Sequence, residues 1–133
     1  MESRNSIKEF VQNVLGCTCP DKVFEQIEDR IVESASSPHT RTITIGERLL
    51  IYVWEADGPM DLQQDLVAML ETGRKERDDR GLNRFRAVIA AENPQYLAPM
   101  AEKYFSLFAD RDDRMHIHVV PLQNLQNSLP EPR

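Results

Sequence analysis

The amino-acid sequence predicts an α/β fold: a four-stranded mixed sheet in the order ββαβαβ, preceded by two amphipathic helices. Three observations carry that expectation. Apolar residues keep helical spacing from Ile7 to Ile31, and the period drops to two at Thr40. Beyond Glu55, short apolar runs alternate with helical segments, each opened by a proline close behind an Asp or Asn. A single domain over 1–133 follows, with a helical pair at 6–33, the sheet and its helices at 40–121, and a polar tail at 122–133.

The first helix opens at Ser6-Ile7-Lys8-Glu9, the spacing of a capping box in which the Ser6 hydroxyl accepts from the Glu9 amide and Glu9 reaches back to Ser6. Ile7, Phe10, Val11, Val14 and Leu15 line one face, and Gly16 ends the helix. Pro20 suits the first position of a second helix, running to Val32 with Val23, Phe24, Ile27 and Ile31 on its apolar face. Glu33 to His39 is small, polar and broken by Pro38, so it reads as a loop with His39 in solvent.

A hairpin comes next. Thr42 and Thr44 alternate with Ile43 and Ile45, Gly46-Glu47 supplies a tight turn, and Arg48 to Glu55 forms the second strand. That strand is apolar on both faces and belongs near the middle of the sheet, whereas the first, half polar, suits an edge. Trp54 reads as core. Asp57-Gly58-Pro59 starts a helix with Leu62, Leu66, Met69 and Leu70 inward. The run from Glu71 to Arg84 mixes charges of both signs, with Gly73 and Gly81 as candidate stops, so either the helix continues as a solvated arm or a long polar loop begins, and the run reads as a solvated face. Phe85 to Ala91 is a short strand, and Asn93-Pro94 opens a helix whose buried face is Leu97, Met100, Ala101, Tyr104, Phe105 and Phe108. Met115 to Pro121 is the last strand. Single-helix crossovers make the last three strands parallel, with the first antiparallel to its hairpin partner.

The only two cysteines, Cys17 and Cys19, lie one residue apart at the junction of the two helices. As N-cap of the second helix, Cys19 would face free amides at the positive end of the helix dipole, which stabilises a thiolate and makes it the candidate nucleophile. Cys17 could then act as its resolving partner in a strained, easily reduced ring. Two inert thiols packing a tight turn are the competing reading. Gly16-Cys17-Thr18-Cys19-Pro20-Asp21-Lys22-Val23-Phe24 resembles the Gly-x-x-Cys-Pro-Glu-Pro-Val stretch of TusA-like sulfur carriers, with Lys22 in place of the second proline. That resemblance, local and preceded here by a helix instead of a strand, implies a shared way of presenting Cys19, where those carriers hold a persulfide.

His116 and His118 fall on one face of the last strand, because side chains alternate. With Cys17 and Cys19 they would complete a Cys₂His₂ set suited to zinc, although the sequence requires no cofactor. The competing reading is an edge strand with a polar outer face. Glu55, Asp57, Glu92 and Asn93 stand at the carboxyl ends of the inner strands, where ligands of open α/β sheets collect, and Asp57 and Asn93 double as helix caps. No glycine-rich phosphate loop and no G-x-S-x-G occurs.

A formal net charge of −6 opposes binding to nucleic acid or anionic membranes, and no segment is apolar enough to span a bilayer. The expectation is a cytoplasmic domain that binds a protein partner or a second copy of itself, carrying a C-x-C thiol pair. Thiol redox or sulfur handling through Cys19, and a Cys/His zinc site, are the alternatives.

Overall fold

The computed structural model describes residues 7, 10, 11, 26–31, 38–56 and 62–124. Within them the chain forms a five-stranded mixed sheet of β1 (Ile27–Ile31), β2 (Arg41–Ile45), β3 (Leu49–Glu55), β4 (Arg84–Ala91) and β5 (Met115–Pro121). Helix α1 (Leu62–Asp79) joins β3 to β4, and α2 (Pro94–Leu107) joins β4 to β5. Spatial order follows sequence order, β1 to β5. β1–β2 and β2–β3 are antiparallel, and β3–β4 and β4–β5 are parallel, as the crossover argument requires.

The N-terminal strand corrects the expected four-stranded sheet and the expected second helix. Ile27 to Ile31 is a strand, not the end of a helix from Pro20 to Val32. A separation of four residues between Ile27 and Ile31 satisfies both the helical period and the strand period, so local spacing does not choose between them. The choice is made by β2, which pairs Ile27 with Ile45 and Ile31 with Arg41, and by the bidentate Arg41–Asp29 ion pair at 2.8 and 2.6 Å. β2 is thereby an inner strand, buried along its whole length, and not an edge. Cys17, Cys19, Gly16, Pro20, the Ser6 capping box, Asp57-Gly58-Pro59 and the tail beyond Asn124 lie outside the described residues.

The sheet buries both faces. Ile7, Phe10 and Val11, three helical residues of the predicted first apolar stripe, pack with Ile43, Ile45, Ile51, Val53, Val88 and Val120 on one face. On the other, Leu62, Leu66, Met69 and Leu70 of α1, Ala101 of α2 and Phe108 just past the end of α2 pack on Leu50, Tyr52, Trp54, Phe85 and Ile89. β3 sits centrally and is covered on both sides, which is why six consecutive residues can be apolar.

Of the two readings of the charged run after Glu71, the structure takes the continued helix and not the long loop. The run continues α1 to Asp79, and the helix closes in a Schellman arrangement: Gly81 takes φ +67°, its N–H donates to the Asp78 carbonyl at 3.2 Å, and Leu82 N–H to Arg77 at 2.8 Å. Gly73 is therefore no stop. It is the point where the Phe85 ring packs against the bare helix backbone; a Cβ there would stand 2.2 Å from Phe85 Cζ. Nor is the run wholly solvated. Arg77, 1% exposed, donates to both Asp112 carboxylate oxygens at 2.9 and 2.6 Å and ties α1 to the loop before β5.

Candidate functional site

The sites follow from what the sheet leaves open. β4 and β5 are parallel with Arg86 opposite His116 and Val88 opposite His118. Alternation then puts Arg84, Arg86, His116 and His118 on one face, the side opposite α1 and α2. Arg84 Nη1 lies 3.2 Å from His116 Nε2, and Arg86 Nη1 lies 2.8 Å from His118 Nε2. Arg84 is exposed and the other three are half-buried. Burial pulls the His118 imidazole down to about 4, helped by Arg86 and His116. His116 is lowered by burial and by Arg86 and Arg84, against an opposing pull from Asp112. Arg86 itself is lowered by burial and by Arg84. The predicted sharing of a face by the two histidines is therefore realised, and the neighbours that register supplies on β4 are guanidinium groups.

Those neighbours bear on the zinc reading. A permanent cation against each imidazole disfavours a second cation there. Among the described residues no group of three or more His, Cys, Asp or Glu side chains is placed to hold a metal ion. Cys17 and Cys19, the proposed thiol site and half of the zinc set, lie outside those residues.

β5 is the last strand of the sheet, and among the described residues no strand pairs with its outer side. Phe85 N–H donates to the Arg114 carbonyl at 2.9 Å. In a parallel ladder that bond fixes the alternation: even-numbered residues of β5 turn their backbone groups to β4, and Ile117 and Val119 turn theirs outward. Along this edge runs α2, which packs on β5, on β4 and on α1. Leu97, Ala101, Tyr104, Phe105 and Phe108 form its inner face. Met100, predicted to join them, is 49% exposed. At 100° per residue it falls instead in line with Tyr96 and Leu107, which are 74% and 67% exposed. The three make an apolar stripe on the flank of α2 that α1 does not cover. Asn93 occupies the N-cap position before Pro94 but makes no side-chain capping bond, and Glu55 and Glu92 are exposed.

At the other end of the sheet, polar groups are buried for structural work. Thr40 N–H donates to the Val53 carbonyl at 3.0 Å, extending the β2–β3 ladder. This delivers His39 onto the Tyr52 ring, stacked at 3.6 Å and 3°. His39 is 4% exposed, which corrects its predicted place in solvent, and burial pulls it down to about 4 despite the nearby Glu76 carboxylate. The Tyr52 hydroxyl donates to Glu76, and burial together with that bond pushes the phenol above its ordinary value. Glu76 also meets Arg80 at 2.6 Å and Arg30 at 3.5 Å, clamping α1 to β1 and β3. Beside this clamp lies an open hollow of about 230 Å³ lined by Gln26, Ile27, Glu28, Thr44, Glu47 and Arg80, with charges of both signs.

No described helix is long and apolar enough to cross a membrane. Sequence reasoning missed Arg84 and Arg86, which stood at the end of a mixed-charge run and at the start of a strand. The only available signal was their spacing, two residues apart like His116 and His118. Comparison of the chain with known protein families, with curated proteins and with solved structures finds no match.

Proposed function

We propose that this chain is a non-catalytic binding module that self-associates as a two-fold dimer through its β5 edge and the outer flank of α2. The observation that carries the reading is the stripe of Tyr96, Met100 and Leu107, large apolar side chains 49 to 74% exposed, beside a strand whose outer side pairs with no other strand among the described residues. Edge strands that stay monomeric are commonly blunted by charge. The α2 side of β5 carries Met115, Ile117, Val119 and, at its end, Pro121, with no charge among them.

A second copy is favoured as the partner because one symmetry operation covers both features. Antiparallel pairing of β5 with its counterpart, about a two-fold axis normal to the sheet, extends the sheet across the joint. The same axis brings the two α2 helices side by side on one face, stripe to stripe. β5 with seven residues spans about 23 Å and α2 with fourteen about 21 Å, so the flank has the dimensions of a small specific interface.

The test is sedimentation equilibrium of the full chain, alongside Tyr96→Glu/Leu107→Glu and Cys17→Ser/Cys19→Ser. The expected result is a dimer that the charged stripe variant dissociates without unfolding and that the serine variant leaves intact. A wild-type chain monomeric at high concentration overturns the dimer. Loss of assembly in the serine variant would move the function to the thiol pair.

A further inference from the structure

We propose, resting on the dimer reading above, that Met100 is a modification site through which hydrogen peroxide controls assembly: its thioether is oxidised in the free chain, and the sulfoxide no longer fits the joint. Placement comes first. Tyr96, Met100 and Leu107 stand within about 40° of one another around α2, with Met100 about 6 Å along the axis from Tyr96 and about 10 Å from Leu107. Met100 is also the seventh of the fourteen residues of α2. Helices that lie side by side about a two-fold axis normal to both run antiparallel, so each end meets the opposite end of the second copy and only the middle of the helix meets itself. Pairing Tyr96 with Leu107 of the second copy therefore brings the two Met100 side chains within about 5 Å of one another along the helix axis, at the centre of the stripe. An unbranched thioether with three rotatable bonds fills such a site well.

Access selects the same residue. Of the three methionines among the described residues, Met69 and Met115 are buried in the core between the sheet and its helices, and Met100 is half-exposed on the free chain. Oxidation by peroxide follows access to the sulfur. A lone pair of the sulfur attacks one oxygen of hydrogen peroxide; an S–O bond forms as the O–O bond breaks, the proton on the transferred oxygen passes to the departing hydroxide, and water leaves. Sulfur gives up two electrons and the peroxide gains them. The product is a polar, chiral sulfoxide whose oxygen accepts hydrogen bonds. On the free chain water satisfies that oxygen. At the joint it faces the apolar stripe of the second copy, where its desolvation is largely uncompensated.

The test treats the full chain with hydrogen peroxide in the Cys17→Ser/Cys19→Ser background, so that no thiol competes, and repeats the treatment with Met100→Leu added. Sulfoxides are located by peptide mass, assembly is read by sedimentation equilibrium against each chain's own untreated sample, and fluorescence of the buried Trp54 reports the fold. A sulfoxide is expected at Met100 ahead of Met69 and Met115, formed more slowly as the protein is concentrated into the dimer. The dissociation constant should rise by about tenfold for each of the two sulfoxides, about a hundredfold per dimer. With Met100→Leu the treated and untreated constants should agree. An untreated chain that stays monomeric overturns the dimer and this assignment together. A dimer that Met100 sulfoxide leaves as tight as before, oxidation of Met69 or Met115 first, or an equal loss of assembly in Met100→Leu overturns this assignment alone.

Discussion

Replacing Gly73 by alanine sets two physical effects against each other, and the structure predicts which prevails. Glycine within a helix is less favourable than alanine by about 1 kcal/mol, so propensity alone predicts a more stable protein. The new methyl, however, would stand 2.2, 2.3 and 2.6 Å from Cζ, Cε1 and Cε2 of Phe85. Reaching ordinary contact at 3.4 Å requires the ring to retreat by roughly 3.4 − 2.2 = 1.2 Å. Phe85 is fully buried and lies edge-on to Tyr52 at 5.0 Å, and Tyr52 is held in turn by Glu76 and the His39 stack. Overpacking of this kind costs about 3 kcal/mol, which leaves a net loss of about 2 kcal/mol. Urea unfolding followed by the single tryptophan, the buried Trp54, measures it directly. Phe85→Leu removes the three ring atoms in question, so in that background Gly73→Ala should cost little or become stabilising. A Gly73→Ala protein at least as stable as wild type, with Phe85 intact, would refute the close approach.

The other expectations are shorter. His39 is lowered from 6.5 to about 4 by burial, so the unfolded chain takes up a proton between those values while the folded chain does not. Stability should therefore fall as pH drops from about 6.5 to about 4 and then level off for this group, and His39→Phe, which keeps the stack, should flatten part of the slope in a pH series of urea midpoints. His116 and His118, both also lowered, add to the slope, and Asp112, held down by its bond from Arg77, adds to its acid end. Arg77→Lys cannot reproduce the two-pronged bond to Asp112 and should lower the unfolding free energy by about 2 kcal/mol, whereas Lys75→Gln, whose pair with Asp79 is exposed, should change it by less than about 0.5 kcal/mol. Two copies that each carry a formal net charge of −6 repel one another at long range. Dimerisation should therefore strengthen from low to moderate salt in sedimentation experiments, and weakening with salt would count against that pairing.

Much of the architecture was legible in local pattern. Leu49 to Trp54 is apolar at every position, which only a strand covered on both faces tolerates, and β3 is central. Alternation over Met115 to His118 located both histidines on one face of β5, and the spacing of Leu62, Leu66, Met69 and Leu70 defined the buried side of α1. These features depend on one period and one element, and a single stretch of sequence contains all that is needed to read them.

Tertiary structure decided the features that need a distant partner. Ile27 and Ile31 fit either period until β2 pairs with them. Arg77 looks like one more solvated charge in α1 until Asp112, thirty-five residues on, closes around its guanidinium in the folded chain. His39 leaves solvent because the β2–β3 ladder carries it onto Tyr52, and Gly73 changes from a stop to a contact because Phe85 arrives from β4. The Arg84–His116 and Arg86–His118 pairs have the same origin. Alternation aligned His116 with His118, but the register of two parallel strands, a non-local quantity set by how both helices pack, put Arg84 and Arg86 beside them.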